Sequence, residues 1–368
     1  MWVWLTMLFS IIIIRFLIPD AIGEKKRNII FMTLSFVIIV FVVGSRSTHL
    51  SDSADLKNYY RFFGRALSET IPQMLESTRF ETGYVILNNI LAWLVPWNYF
   101  IMYFEAAFCT GIMFWYIYRN VDSKFLGVIV YICLGPWQFF LTGFRQAIAV
   151  CICFIALECI KKKILMWDLV AVGLILLSTT IHVTAWVFLL VFVIRRIKIT
   201  KKVVIYATVI SLVLLIFIED IVSFGNDIME KDYTLSYYGN AFGGLIPILV
   251  YVAALILTYL IWTWNNDYLE ENGLEVAMLI FGLCIYIQRY SAHIMERVSM
   301  YFTPVVVVVL TNALTRQRSS KPVRNIIYVV TIGLCVALFI YRANAQLGEY
   351  HFYWEYINGT LTQEVLGK

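Results

Sequence analysis

Asn28-Ile29-Ile30-Phe31-Met32-Thr33-Leu34-Ser35-Phe36-Val37-Ile38-Ile39-Val40-Phe41-Val42-Val43-Gly44 carries no charge, and it lies between the basic run Lys25-Lys26-Arg27 and Arg46. A helix crosses a bilayer with about 20 apolar residues, within a range of ~17–25. Hydrocarbon also demands that every backbone polar group be satisfied internally, which a helix does. This stretch therefore reads as a membrane span. Worked outward, the same reading places further spans at roughly 2–18, 98–117, 125–142, 144–160, 164–180, 182–196, 203–219, 244–263, 274–290, 297–314 and 325–341, about twelve in all. Two of these crowd into the stretch between Lys163 and Arg195, and an eleven-span reading would break there.

Composition agrees. Of 368 residues, 61% are hydrophobic and 14% charged, and mean hydropathy is +0.78. A soluble domain carries about 25% charged residues, so this chain cannot cover its apolar side chains with polar surface. The expectation is an all-α, polytopic integral membrane protein, one transmembrane domain over 1–368, and not a soluble enzyme. The net charge of +5 is spread over loops without a basic tail, so nucleic acid is not an expected partner. The seven cysteines sit in apolar runs, which argues against structural disulfides. The four histidines form no H-x-x-x-H pair, so a zinc site has no support in the sequence; no other metal spacing stands out, and no cofactor is expected.

Lys and Arg concentrate in Lys25–Arg27, Lys161–Lys163, Arg195–Lys202 and Arg316–Arg324. The positive-inside rule makes these loops cytoplasmic and turns both termini outward. The acidic stretch Asn265–Gly273 falls on the same side and runs against that pattern. Cytoplasmic loops are too short for a nucleotide-binding domain. Outside lie a long first loop at 45–97, a second at 220–243 and a tail at 342–368. Within the first loop, Tyr84, Leu87, Leu91 and Leu94 recur at helical spacing, as in a helix lying at the interface.

Candidate chemistry sits near the outer surface. Arg145, followed by Gln146, lies in the hairpin turn Thr142-Gly143-Phe144-Arg145-Gln146, after a Pro136-Trp137 break. An arginine held there is costly unless paired or functional, although a snorkelling helix-end arginine would look the same. Arg289, His293, Arg297 and Tyr301 are spaced four apart. On one helix they would share a face and form an anion site; the plainer reading pairs Arg297 with Glu296 or with lipid headgroups. His182, in Thr180-Ile181-His182-Val183-Thr184, is either a packed, hydrogen-bonded histidine or a base for a hydroxyl proton. The first outer loop holds Arg46, Asp52, Asp55, Tyr59, Glu81 and Tyr84. Asp55 could cap a helix beginning at Leu56, or serve as a base or an anchor for sugar hydroxyls. The aromatics of this loop and of Tyr233–Tyr238 could stack on sugar faces, although aromatics are also the normal residues of the interface belt.

Several of these residues fall in one recognisable order. Arg46 precedes Asp55-x-x-x-Tyr59-Tyr60. Then come Glu81-x-Gly83-Tyr84, Gly143-Phe144-Arg145-Gln146-Ala147-Ile148-Ala149, His182-x-Thr184-Ala185 and Arg297-x-x-x-Tyr301-Phe302. In this the chain resembles the EpsG family, bacterial multi-span membrane proteins of exopolysaccharide, capsule and O-antigen synthesis related to Wzy polymerases. The resemblance runs from about Gly44 to Phe302, and the Phe-Arg-Gln-Ala-x-Ala segment is its most specific part. Members usually carry a shorter segment from Arg to Gly-Thr-Asp. Here residues are inserted around His49–Asp52, so the family role falls to Asp52 or to Asp55.

The resemblance implies a membrane glycosyltransferase, a polysaccharide polymerase of the GT-C kind that inverts the anomeric centre. Its partners would be undecaprenyl-diphosphate-linked oligosaccharide, membrane lipid, a flippase and a chain-length regulator. It also implies that Arg145, Arg289, Arg297 and Arg46 bind diphosphate and that Asp55 or His182 is the base. Asp52, Tyr59, Glu81, Tyr84, Gln146, His293 and Tyr301 would line the substrate. The competing readings are a ligase using the same arginines, a structural partner in an export complex, and a flippase of lipid-linked sugars. A flippase predicts mid-membrane polar residues and paired repeats. Glu105 is the clearest deep carboxylate, and no internal repeat is visible.

Overall fold

The computed structural model describes residues 1–48, 54–134, 136–229, 241–262, 267–316, 320–347 and 349–357. Asp52, His49 and Tyr233–Tyr238 lie outside them. Among the described residues the protein is all-α, and the one extended pairing is an isolated antiparallel bridge between Arg46 and Phe352. Five helices among the described residues are long and apolar enough to cross a membrane: Glu24–Gly44, Phe100–Asn120, Lys201–Ser223, Tyr268–Tyr290 and Pro322–Asn344. Trp2–Leu17, Phe144–Ile160, Leu165–Ile181 and Ala241–Trp262 fill four other expected spans.

Three expected spans are broken. Residues 125–142 divide into Lys124–Cys133 and Pro136–Phe140. The residue before a proline is pushed out of the helical region, and the proline has no N–H to continue the ladder. Residues 182–196 begin as the 3-10 helix Val183–Leu190 and end as Val191–Ile194. Residues 297–314 divide among Ile294–Ser299, the 3-10 turn Thr303–Val305 and Val306–Thr315. Segments of this kind persist at membrane depth when protein surrounds them; Ala185, Phe188, Thr303 and Val305 are fully buried.

Residues 45–97, expected as the first outer loop, are largely helical in their described part, as Ala54–Ala66, Ile71–Glu76 and Thr82–Leu94. The helix Lys201–Met229 runs on into the segment expected as the second outer loop, through residues 220–229. Ile218 and Val222, one turn apart, pack with Ala292 and Ile294 and extend the helix past the acidic pair Glu219-Asp220.

The acidic stretch that ran against the charge pattern has a physical explanation. Glu271 pairs with Arg316, and Glu275, nearly inaccessible, pairs with Lys161. Arg119 binds Glu158 at 2.8 Å, Arg195 holds Asp168 through two bonds of 2.6 and 2.7 Å, and Arg316 also meets Asp122 at 2.6 Å. These carboxylates neutralise basic residues at their own end of the bundle. The helix Phe144–Ile160, at 1.5 Å per residue, separates that end from Arg145 by about 24 Å.

Candidate functional site

At the opposite end, three chain segments begin or end around one carboxylate. Glu81 precedes the first turn of Thr82–Leu94, where unsatisfied backbone N–H groups favour an anion. One of its oxygens forms a close ion pair with Arg145, the second residue of Phe144–Ile160. The other accepts a hydrogen bond from the Val183 N–H at 3.3 Å, at the start of Val183–Leu190. Both partners of the ion pair are mostly withdrawn from water, with side chains 19% and 11% exposed. The Arg145 guanidinium also lies 4.2 Å from the centre of the Phe80 ring, within cation–π range.

Close backbone approach fixes this corner. A Cβ at Gly83 would sit 2.7 Å from the Thr180 carbonyl oxygen, so only glycine lets Thr82–Leu94 meet the end of Leu165–Ile181 here. Tyr59, from Ala54–Ala66, stacks on Phe144 (5.2 Å between ring centres, 6° between planes) and meets Tyr84 edge-on at 6.0 Å. Burial pushes the Tyr59 phenol up, opposed by the charge of Arg145.

The remaining residues join from two directions. His182 follows Leu165–Ile181 in an extended conformation, and its Nδ1 lies 2.7 Å from the Thr184 hydroxyl, which lies 3.2 Å from the Tyr301 hydroxyl. Gln146 donates to the Arg297 carbonyl at 2.5 Å, tying the start of Phe144–Ile160 to Ile294–Ser299. Arg297 reaches Asp55 at 3.4 Å, both side chains about half exposed. An exposed pair of this kind contributes about 0–1 kcal/mol, so an incoming anion can displace Asp55 at small cost. Asp55 is in the first turn of Ala54–Ala66 rather than capping a helix from Leu56, and its carboxylate serves Arg297.

The four-residue stripe at 289–301 does not form as one helical face. A 3-10 turn at Gln288–Tyr290, a break, the short helix Ile294–Ser299 and a second turn interrupt it. Gln288 donates to the Ser211 carbonyl at 2.8 Å, which holds the first turn against a neighbouring helix. Arg289, buried, donates to the Tyr286 hydroxyl at 2.5 Å and pairs with Glu296 at 3.0 Å, while His293 is 3.6 Å from Glu296. Glu296, the sequence neighbour of Arg297, therefore pairs with Arg289. Only Arg297 and Tyr301 of the stripe join the Glu81–Arg145 corner; Arg289 and His293 form a second cluster.

Arg46 also stands apart. Its Nη2 donates to the Leu141 carbonyl at 2.7 Å, just before the Arg145 turn, and its backbone bridges to Phe352. Burial lowers its guanidinium to about 10, against the raising effect of Glu105 and Tyr350, so it stays cationic at neutral pH. It braces the turn that presents Arg145.

A sequence model of the EpsG family matches residues 29–358. The chain belongs to the EpsG family. No curated protein and no solved structure matches it. EpsG-family membership makes it a bacterial membrane protein of a polysaccharide-polymerase-like class. In this EpsG-family chain, sequence reading did not single out Phe80, Glu296 or Thr184 as site residues. Thr184 stood in the His182 motif; Phe80, which lies directly before Glu81, and Glu296 carried no signal beyond adjacency.

Proposed function

We propose that this protein is a polysaccharide polymerase acting at the outer face of the bacterial cytoplasmic membrane. It would transfer a growing glycan from undecaprenyl diphosphate to the sugar of another lipid-linked repeat unit. The observation that carries this reading is the convergence of Asp55, Glu81, Arg145, His182, Arg297 and Tyr301 at one end of the bundle. In this reading the donor diphosphate lies against Arg297 and Arg145, whose guanidinium forks suit phosphate oxygens. His182 takes the proton of the acceptor hydroxyl as that oxygen bonds to the anomeric carbon. The bond from anomeric carbon to diphosphate oxygen breaks, and the diphosphate departs with the electron pair. Positive charge fixed before the reaction is worth most at that leaving group. We assign the base to His182 because it is buried within the Thr184–Tyr301 line. Asp55, half exposed, is assigned to orient Arg297.

Deleting the gene in cells that make the polymer tests this. The expected result is surface glycan of single repeat units, with long chains restored by the wild-type gene. Unchanged chain length would contradict the proposal. So would lipid-linked units trapped on the inner leaflet, which is the signature of a lost flippase.

A further inference from the structure

A cavity of about 570 Å³ lies between the helices Lys201–Met229, Ala241–Trp262 and Asp267–Ile287. It begins at Ile199, Thr200 and Lys201, at the end of the bundle opposite the candidate site, and extends to Ser211, Leu212 and Ile287. The volume is that of a small-molecule pocket, but its walls suit hydrocarbon. Of the five hydroxyl-bearing residues that line it, Thr200 and Tyr259 stand at the Lys201 end, and the other three each donate to a carbonyl: Thr208 to Val204 at 2.9 Å, Ser211 to Cys284 at 3.1 Å and Thr258 to Ala254 at 2.8 Å. Bonded in this way, they present mainly carbon to an occupant.

Its length says which hydrocarbon. From Lys201 to Leu212 the helix rises about 16 Å at 1.5 Å per residue. That is roughly half the ~30 Å hydrocarbon core, the depth of one leaflet. The mouth is basic: Lys201 lines it, its ammonium 5.7 Å from the Tyr259 ring centre, and Lys198 and Lys202 beside it are exposed. We propose that this cavity binds one acyl chain of an anionic phospholipid, with Lys201 and Lys202 holding the phosphate. An isoprenoid carrier chain is far longer than one leaflet and does not fit this depth.

Native mass spectrometry of the purified full-length protein tests the site, with phosphatidylglycerol and phosphatidylcholine of identical chains as probes. Wild type should retain phosphatidylglycerol preferentially. Thr208→Trp, which fills the cavity, should abolish retention. Lys201→Ser with Lys202→Ser should weaken phosphatidylglycerol about fivefold per lysine, toward phosphatidylcholine. The lysine variant changes only exposed side chains and stands as the test if Thr208→Trp does not fold. Equal retention by wild type and both variants, equal affinity for the two lipids, or preferential binding of a polyprenyl phosphate would overturn the proposal. None of these readouts depends on glycan synthesis.

Discussion

Arg145→Ala is expected to collapse surface glycan to single repeat units, with a fall in transfer rate of about 10²–10³-fold, the usual cost of losing one preorganised donor to a developing charge. A second effect must be separated from this one. Glu81, mostly buried, loses its cation in this variant, and breaking a buried pair costs about 3–5 kcal/mol. The double variant Arg145→Ala with Glu81→Gln removes both charges and should recover most of the thermal stability of the purified protein. It should not recover chain length. Arg145→Lys keeps the charge but loses the fork and should give short chains. Long chains in the stable double variant would leave Arg145 a purely structural role.

His182→Ala is expected to lower transfer by about 10²–10⁴-fold, the range of general base catalysis. Asp55→Asn should cost less, because Arg297 keeps its charge and loses only a loose partner at 3.4 Å. The comparison is made on chain-length distributions at matched protein level in the membrane. Tyr301→Phe, which removes the end of the His182–Thr184–Tyr301 line, should fall between the two. If Asp55→Asn were the more damaging change, the base assignment would pass to Asp55.

Stretches such as 28–44 made the fold legible because lipid imposes a one-dimensional rule: enough apolar residues in a row must form a helix. That rule reads length and polarity. It does not register backbone breaks that neighbouring helices stabilise, which is why 182–196 and 297–314 looked continuous. It also ended the helix expected at 203–219 too early, since Ile218 and Val222 gain their packing from Ala292 and Ile294, far along the chain.

The candidate site was legible as a set of residues and not as a set of partnerships. Arg145 stood out because a guanidinium in a tight turn between two apolar runs is costly unless it is paired or functional. Its partner Glu81 is 64 positions away, and no local pattern links them. The stripe from Arg289 to Tyr301 had perfect helical spacing, yet Gln288 on Ser211 and Arg289 on Tyr286 hold that segment in turns. Long-range hydrogen bonds overrode local periodicity there. The acidic stretch at 265–273 ran against the charge pattern for the same kind of reason: the cation that meets Glu271, Arg316, is contributed by another loop.

The most direct test of the central claim is reconstitution. Purified wild-type protein in liposomes, given one lipid-linked oligosaccharide and nothing else, should produce glycans of two or more repeat units. Each new linkage should release one carrier diphosphate, and Arg145→Ala with Glu81→Gln should release almost none. Movement of intact lipid-linked units across the bilayer, with no new linkage and no released diphosphate, would contradict the account.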